Sequence, residues 1–274
     1  MFVFHTHCQL GNQMFIYAAA KGLGVKNNIY CLSDISELKK YFNLTAQDKY
    51  LNFAKYLYFR IKNKILPFRY FHLQDNFINY SDTLLMNISK DSWFYGYFQS
   101  ETYFRNNEKE IKAAFQLKKK LLNRFSDIKT QFENKPFLVV HVRLRDYKTF
   151  GPEYLNGPDM TLPYSYYRSV LNQFNLSEYN LIFTSDDINE VEQEFMDYKS
   201  AFFSRYDKII DFQFIKNAQI NIISHSTFAW WAAWLNDKPN KVIHVPKYFL
   251  GFKVKKEYPV NIIPKDWNEV TVYE

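Results

Sequence analysis

The sequence predicts an α/β protein, and three observations carry that prediction. The second half holds unbroken apolar runs of strand length at Phe137–Val142, Asn180–Phe183, Ala201–Phe203, Ile220–Ile223 and Val242–Val245. Unbroken runs, rather than apolar–polar alternation, mark strands buried on both faces, as in a parallel sheet. Stretches of helical character separate them, and alternating strand and helix is the pattern of βαβ units joined by crossover helices.

Taken in chain order, Phe2–His5 reads as a strand, followed by a turn at Leu10-Gly11-Asn12 and a helix from Gln13 to Lys21 closed by Gly22 or Gly24. Residues 36–80 are aromatic, lysine-rich and mostly helical in period. Trp93–Phe98 is a further strand candidate, and Glu101–Phe125 reads as one charged helix. Lys129–Pro136 is the most polar junction in the chain and sets the boundary between two domains, 1–134 and 135–274, with the last residues a candidate for returning to the first. Beyond it the helices are Pro163–Phe174, Ile188–Met196, Phe212–Ala218 and Thr227–Leu235. Pro163 suits a first helical turn and Asp186/Asp187 suit an N-cap.

Composition narrows the class. The 274 residues are 47% hydrophobic and 23% charged, which excludes disorder, and the length suits one large or two small domains. Two cysteines, Cys8 and Cys31, cannot build a disulfide framework, so a reducing compartment is expected. No apolar run approaches the ~20 residues of a membrane span, and the start lacks the regions of a signal peptide. The expectation is a soluble, cytoplasmic protein. The net charge of +7 is spread over short, separate clusters such as Lys118-Lys119-Lys120 and Lys253-Val254-Lys255-Lys256. No nucleic-acid signature accompanies them, so a solvated face is the first reading and an anionic membrane surface the second.

Ligands of open parallel sheets bind beyond the carboxyl ends of the strands. The polar residues there are Arg143, Arg145 and Asp146 after the first strand of the second half, Ser185, Asp186 and Asp187 after the next, and Ser224, His225, Ser226 and Thr227 after the fourth. Gly11, Asn12 and Gln13 follow the first strand of the chain. Guanidinium groups, short hydroxyls, carboxylates and helix starts together suit a phosphorylated, base-bearing ligand. Each alone is equally a helix cap or surface ion pair. His141 and His244 fall inside strands, where a satisfied core role is the default, while His5 and His7 flank the first turn. Phosphate-loop, G-x-G-x-x-G, nucleophile-elbow and zinc motifs are absent, and so is any Asp-x-Asp pair for a divalent cation.

These strings together resemble glycosyltransferase family 11, the α-1,2-fucosyltransferases, within the wider fucosyltransferase superfamily. The matching pieces are Leu10-Gly11-Asn12-Gln13-Met14-Phe15, Gly96-Tyr97-Phe98-Gln99-Ser100-Glu101, His141-Val142-Arg143 with Asp146-Tyr147, Ser185-Asp186-Asp187, Ser226-Thr227-Phe228-Ala229-Trp230-Trp231 and Asp266-Trp267. The resemblance implies a GT-B enzyme of two Rossmann-like domains with a cleft between them. It would move L-fucose from GDP-fucose to O2 of a terminal galactose, with inversion and without a metal or other cofactor. By position, Arg143 would hold the pyrophosphate, and His141 with Asp186 or Asp187 would read the guanine. Ser226 and Thr227 would cap the phosphates, and Asn12 would touch the β-phosphate side. Trp230, Trp231 and Trp234 lie at helical spacing and read mainly as core.

The chain departs from the family at Leu144, where a second arginine is usual, with Arg145 following it, and at Cys8-Gln9, where Gly-Gly is preferred. Asp146 and Glu153 are the general-base candidates beside Arg143, but for Asp146 orienting Arg143 through an ion pair is the preferred reading, and the base stays unassigned. A galactose-terminated surface glycan such as lipopolysaccharide or capsule is the implied acceptor, with peripheral contact at the inner membrane. Two alternatives stay open: a different nucleotide-sugar donor, motivated by Leu144, and an inactive glycan-binding protein on the same fold.

Overall fold

The computed structural model describes residues 2–6, 9–24, 30–44, 52–66, 68–73 and 92–273. Contacts divide the chain into two compact units, Met1–Lys119 with Pro259–Ile262, and Lys120–Tyr258 with Ile263–Glu274.

The first unit is built on a four-stranded parallel sheet. Its strands are β1 (Phe2–Phe4), β2 (Tyr30–Leu32), β3 (Arg69–Leu73) and β4 (Ser92–Gly96), in the spatial order β2-β1-β4-β3. Helix α1 (Leu10–Gly24) begins at Leu10, so Gly11, Asn12 and Gln13 form its first turn rather than a preceding loop. Gly22 does not close this helix. The helix runs through it, and a Cβ there would lie 2.0 Å from the Tyr103 carbonyl oxygen, so glycine admits the close approach of the two segments.

Helices α2 (Ser36–Tyr41) and α3 (Asn52–Ile65) follow. Asn52 pins the start of α3 to β2: its side chain accepts from the Leu32 N–H and donates to the Leu32 carbonyl, both at 2.8 Å. Phe59 then packs into a cluster with Val3, Cys31 and Phe68. The mostly helical reading of 36–80 therefore misses β3, and residues 45–51 and 74–80 lie outside the described ones, as do His7 and Cys8.

The single helix expected over 101–125 is also broken. Short 3₁₀ turns at Glu101–Tyr103 and Arg105–Asn107 lead into α4 (Glu108–Ala114) and, after a gap, α5 (Lys119–Lys129). The gap exists because the backbone turns aside to pair with 41–43. Asn43 N–H donates to the Gln116 carbonyl at 2.8 Å, Lys118 N–H donates to the Tyr41 carbonyl at 3.0 Å, and Phe42 bridges Leu117.

The second unit carries a six-stranded, wholly parallel sheet. Its strands are β5 (Phe137–Val142), β6 (Asn180–Ser185), β7 (Phe202–Phe203), β8 (Ile220–Ile223), β9 (Val242–Pro246) and β10 (Asn268–Val270), ordered β10-β9-β8-β5-β6-β7. All six residues of β5 are buried, as its unbroken apolar run predicts. Helices α6 (Tyr164–Leu171), α7 (Ile188–Glu194), α8 (Lys208–Lys216) and α9 (Thr227–Trp234) fill the crossovers.

Helix α8 starts at Lys208, a turn before the expected Phe212, because Asp207 caps it by accepting from the Ile209 and Ile210 N–H groups. The division between units falls after Lys119, the first residue of α5, rather than at the polar junction 129–136. Phe125 of α5 packs edge-on against Phe214 of α8 at 5.3 Å, and Gln213 donates to the Leu121 carbonyl at 3.0 Å. Helix α9 packs beside α8, Phe228 lying 5.4 Å from Phe212, and its Trp230, Trp231 and Trp234 meet Trp267, with ring centroids 5.1–6.1 Å apart.

Candidate active site

The strand order of the second unit reverses at β5. The chain steps outward through β6 and β7, then returns to β5's other edge with β8. A crevice opens at the carboxyl ends of strands flanking such a reversal, and most of the polar residues singled out in the sequence are gathered there.

His141, the penultimate residue of β5, is buried. Its Nδ1 lies 2.9 Å from the Ser224 hydroxyl just past β8, and the Ser224 N–H donates to the His141 carbonyl at 3.1 Å. Burial, and next the Arg143 cation, push the imidazole pKa down to about 3. The ring is therefore neutral, with its Nδ1 committed to Ser224.

Arg143 is held from two sides. Its guanidinium lies 2.7 Å from an Asp146 oxygen and 3.4 Å from an Asp186 oxygen, with its cation 5.5 Å from the centre of the Tyr147 ring. The other Asp186 oxygen accepts from the Leu144 N–H at 2.9 Å. Asp186 thus ties the β5 and β6 loops together. Asp146, half exposed, sits in an ion pair with Arg143, which favours its orienting role. Leu144 is only 2% exposed, so its side chain belongs to the core and not to the ligand surface. Arg145 is exposed, on the first turn of the 3₁₀ segment Arg145–Lys148.

At the end of β8 the chain enters α9. Ser226 is the N-cap residue and its side chain makes no capping bond, while its own N–H donates to the Ser224 carbonyl at 2.8 Å. The first-turn N–H groups of α9, with the Ser226 and Thr227 hydroxyls, form a set of donors suited to phosphate oxygens.

Other predicted residues have structural work instead. Asp187 caps α7, accepting from the Glu190 N–H at 3.5 Å, and the Ser185 hydroxyl accepts from the Asp187 N–H at 3.0 Å. The His225 ring is fully buried between Tyr147 (4.9 Å, 17°) and Phe252 (5.4 Å, 22°), and burial pushes its pKa down to about 4. Its carbonyl accepts from the Tyr147 hydroxyl at 3.3 Å. Glu153 is exposed at the start of the 3₁₀ turn Glu153–Leu155, and its carboxylate makes no ion pair among the described residues. His244 is buried in β9, the core role expected of it.

In the first unit, Gly11, Asn12 and Gln13 occupy the first turn of α1. The Asn12 side-chain Oδ1 accepts from the Gln99 side-chain Nε2 at 2.9 Å. Gln99 follows Phe98, whose φ of 55° puts a bulky residue in the left-handed region that normally selects glycine. Buried ring contacts with Phe4 and Tyr103, each at 5.5 Å, hold it there. Gln99, Tyr147 as a stacking platform, and the double use of Asp186 were not among the sequence's candidate site residues. Gln99 and Tyr147 did stand inside the recognised strings, which was the available signal.

The family model described as glycosyl transferase family 11 matches residues 1–268. An O-antigen biosynthesis glycosyltransferase, WbnK of Escherichia coli, is 26% identical over 202 residues, covering 70% of this chain and 64% of that one. An α-1,2-colitosyltransferase of Escherichia coli is 25% identical over 257 residues, covering 83% and 85%. Among solved structures, fucosyltransferase NodZ from Bradyrhizobium shares 12% identity at a TM-score of 0.53, covering 84% of this chain and 91% of that one. A mutant Arabidopsis thaliana FUT1 in complex with GDP shares 8% at 0.52, covering 89% and 69%. The architecture is that of the GT-B fucosyltransferases.

Proposed function

The chain belongs to glycosyl transferase family 11, and from that premise we propose that it moves L-fucose from GDP-fucose to O2 of a terminal galactose in a surface glycan. The observation that carries the donor half of this reading is Arg143. It is fixed at the carboxyl end of β5, near the strand reversal, by Asp146 and Asp186.

In this reading the Arg143 guanidinium forks onto the diphosphate and neutralises the charge that grows on GDP as the glycosidic bond breaks. The α9 N-terminus, with Ser226 and Thr227, donates to the remaining phosphate oxygens. His141, kept neutral, and Asp186 offer hydrogen bonds to the guanine edge. Attack by the acceptor hydroxyl on the face opposite the leaving diphosphate inverts the anomeric carbon. The acceptor proton passes to a carboxylate, for which Asp146 and Glu153 are the candidates, or to water. No metal ion is assigned to this reaction. Arg143 and the helix terminus supply the positive charge that a cation would otherwise bring, and the sequence has no Asp-x-Asp pair.

The α-1,2-colitosyltransferase relative favours a second reading in which the donor is another GDP-linked deoxy sugar. Colitose is L-fucose without its 3-hydroxyl, so the two readings differ by the contacts made to one oxygen.

The test is GDP release from GDP-fucose with a panel of galactose-terminated acceptors, in EDTA, beside an Arg143→Ala control. Acceptor-dependent release that survives EDTA and is lost in the variant supports the proposal. Release with GDP-colitose alone supports the second reading. Protein that binds GDP and galactosides without turnover is a glycan-binding protein on this fold. Failure to bind GDP overturns the donor site.

A further inference from the structure

Helix α3 has two apolar faces, and among the described residues only one of them is packed. Its inner face is seated by Asn52 on β2 and by Phe59 in the cluster with Val3, Cys31 and Phe68. On its outer face stand Phe53, Leu57, Ile61 and Ile65, which are 68%, 50%, 56% and 75% exposed. Steps of four residues advance about 40° around a helix, so these side chains form one continuous stripe of about 120° along nearly the whole length of α3. A water-facing helix ordinarily turns polar residues outward. Four large aliphatic and aromatic side chains in line constitute a patch that asks for a partner.

Charge identifies the partner. The helix carries Lys55, Arg60, Lys62 and Lys64 and no acidic residue. Arg60 and Lys64 border the stripe on one side and Lys62 on the other. An apolar stripe edged with cations matches the layered chemistry of an anionic bilayer, where acyl chains take the stripe and lipid phosphates take the rim. A second copy of the chain fits poorly. A two-fold contact through this stripe brings each basic border near its own counterpart, with no carboxylate on the helix to answer it.

We infer that α3 is an interfacial helix that lies in the plane of an anionic lipid surface. The first unit would then be held at a membrane through its surface, without a spanning segment; no described helix is long and apolar enough to cross one. This goes beyond the proposed reaction and does not depend on the identity of the donor sugar.

The experiment is co-sedimentation of the full chain with phosphatidylcholine vesicles, with and without about one third phosphatidylglycerol, at low and high salt. The chain is expected to partition onto the anionic vesicles, weakly onto neutral ones, and less at high salt. Leu57→Asp with Ile61→Asp should lower the partition coefficient at least about tenfold, and Arg60→Gln with Lys64→Gln by roughly tenfold. Both pairs are solvent-facing, so circular dichroism and the melting temperature should match the parent, and GDP binding should be untouched. Equal partition of parent and variants overturns the inference, and so does equal binding to neutral vesicles. A dimer seen by light scattering that Leu57→Asp with Ile61→Asp dissolves would give the stripe to a second copy and overturn it as well.

Discussion

His141 and Ser224 face each other across the reversal of strand order, imidazole Nδ1 to hydroxyl oxygen at 2.9 Å, both buried. This contact joins the ends of the neighbouring strands β5 and β8 and commits the Nδ1 of the imidazole to Ser224.

Acid stability should follow from the buried imidazoles and one buried carboxyl. His141 and His225 titrate near 3 and 4 in the folded chain and near 6.5 when unfolded. Between about pH 4 and 6.5 the unfolded chain therefore binds protons that the folded chain refuses. Stability falls on acidification by about 1.4 kcal/mol per pH unit for each imidazole. Asp211 on α8 acts in the opposite sense. Burial lifts its carboxyl to about 7 while the Ser204 hydroxyl donates to it at 2.5 Å, so the folded chain keeps a proton the unfolded chain has released. Asp211→Asn should steepen the slope of stability against pH by about 1.4 kcal/mol per unit between pH 4.5 and 6. Urea unfolding across that range measures it, and an unchanged slope contradicts the assignment.

Arg143→Ala should cost about 10²–10³ in turnover with far-UV circular dichroism unchanged. Asp186→Asn keeps the shape but weakens the hold on Arg143 and the Leu144 N–H. A loss of about 1.5–3 kcal/mol in GDP affinity is expected, read by calorimetric titration. Full GDP affinity in Asp186→Asn would mean that Arg143 is positioned without it.

Leu144→Arg should not restore a second phosphate contact. The side chain at 144 is 2% exposed, so the substitution buries a cation and should destabilise by about 3 kcal/mol or more. Arg145→Ala, at an exposed position, should leave the unfolding free energy within about 0.5 kcal/mol of parent. A stable Leu144→Arg protein with tighter GDP binding would show that the loop rearranges.

Gly22→Ala should destabilise the first unit by about 1–3 kcal/mol, because the new methyl meets the Tyr103 carbonyl and the Phe104 backbone, neither of which can rotate away. A urea titration decides it, and a gain in stability would mean the two segments separate freely.

The second unit was legible in sequence because parallel strands buried on both faces write themselves as apolar runs. Every run singled out between 137 and 245 is a strand, with Ala201 falling just outside β7. β10 left no such run, since Asn268 and Glu269 are exposed and the strand exists through its pairing with β9. In the first unit β2 is only three residues long and β3 is set in aromatic, lysine-rich sequence of mostly helical period, so neighbours rather than local pattern define them. At the site, residue types and strand ends located Arg143, Asp186 and Ser226. Whether a given aspartate would serve as cap or clamp depended on side-chain direction, and Asp186 and Asp187 took one role each. The burial of Leu144 is likewise a fact of packing that one letter cannot carry.

The chain has five tryptophans, and four of them, Trp230, Trp231, Trp234 and Trp267, touch one another in the second unit. That cluster grows from the helix that Ser226 begins. Four of the five indoles therefore belong to one cluster in the second unit, and Trp93 is the one tryptophan of the first. Replacing Trp93 with phenylalanine would leave a signal belonging to the second unit alone, and comparison with the parent would tell which unit loosens first on heating.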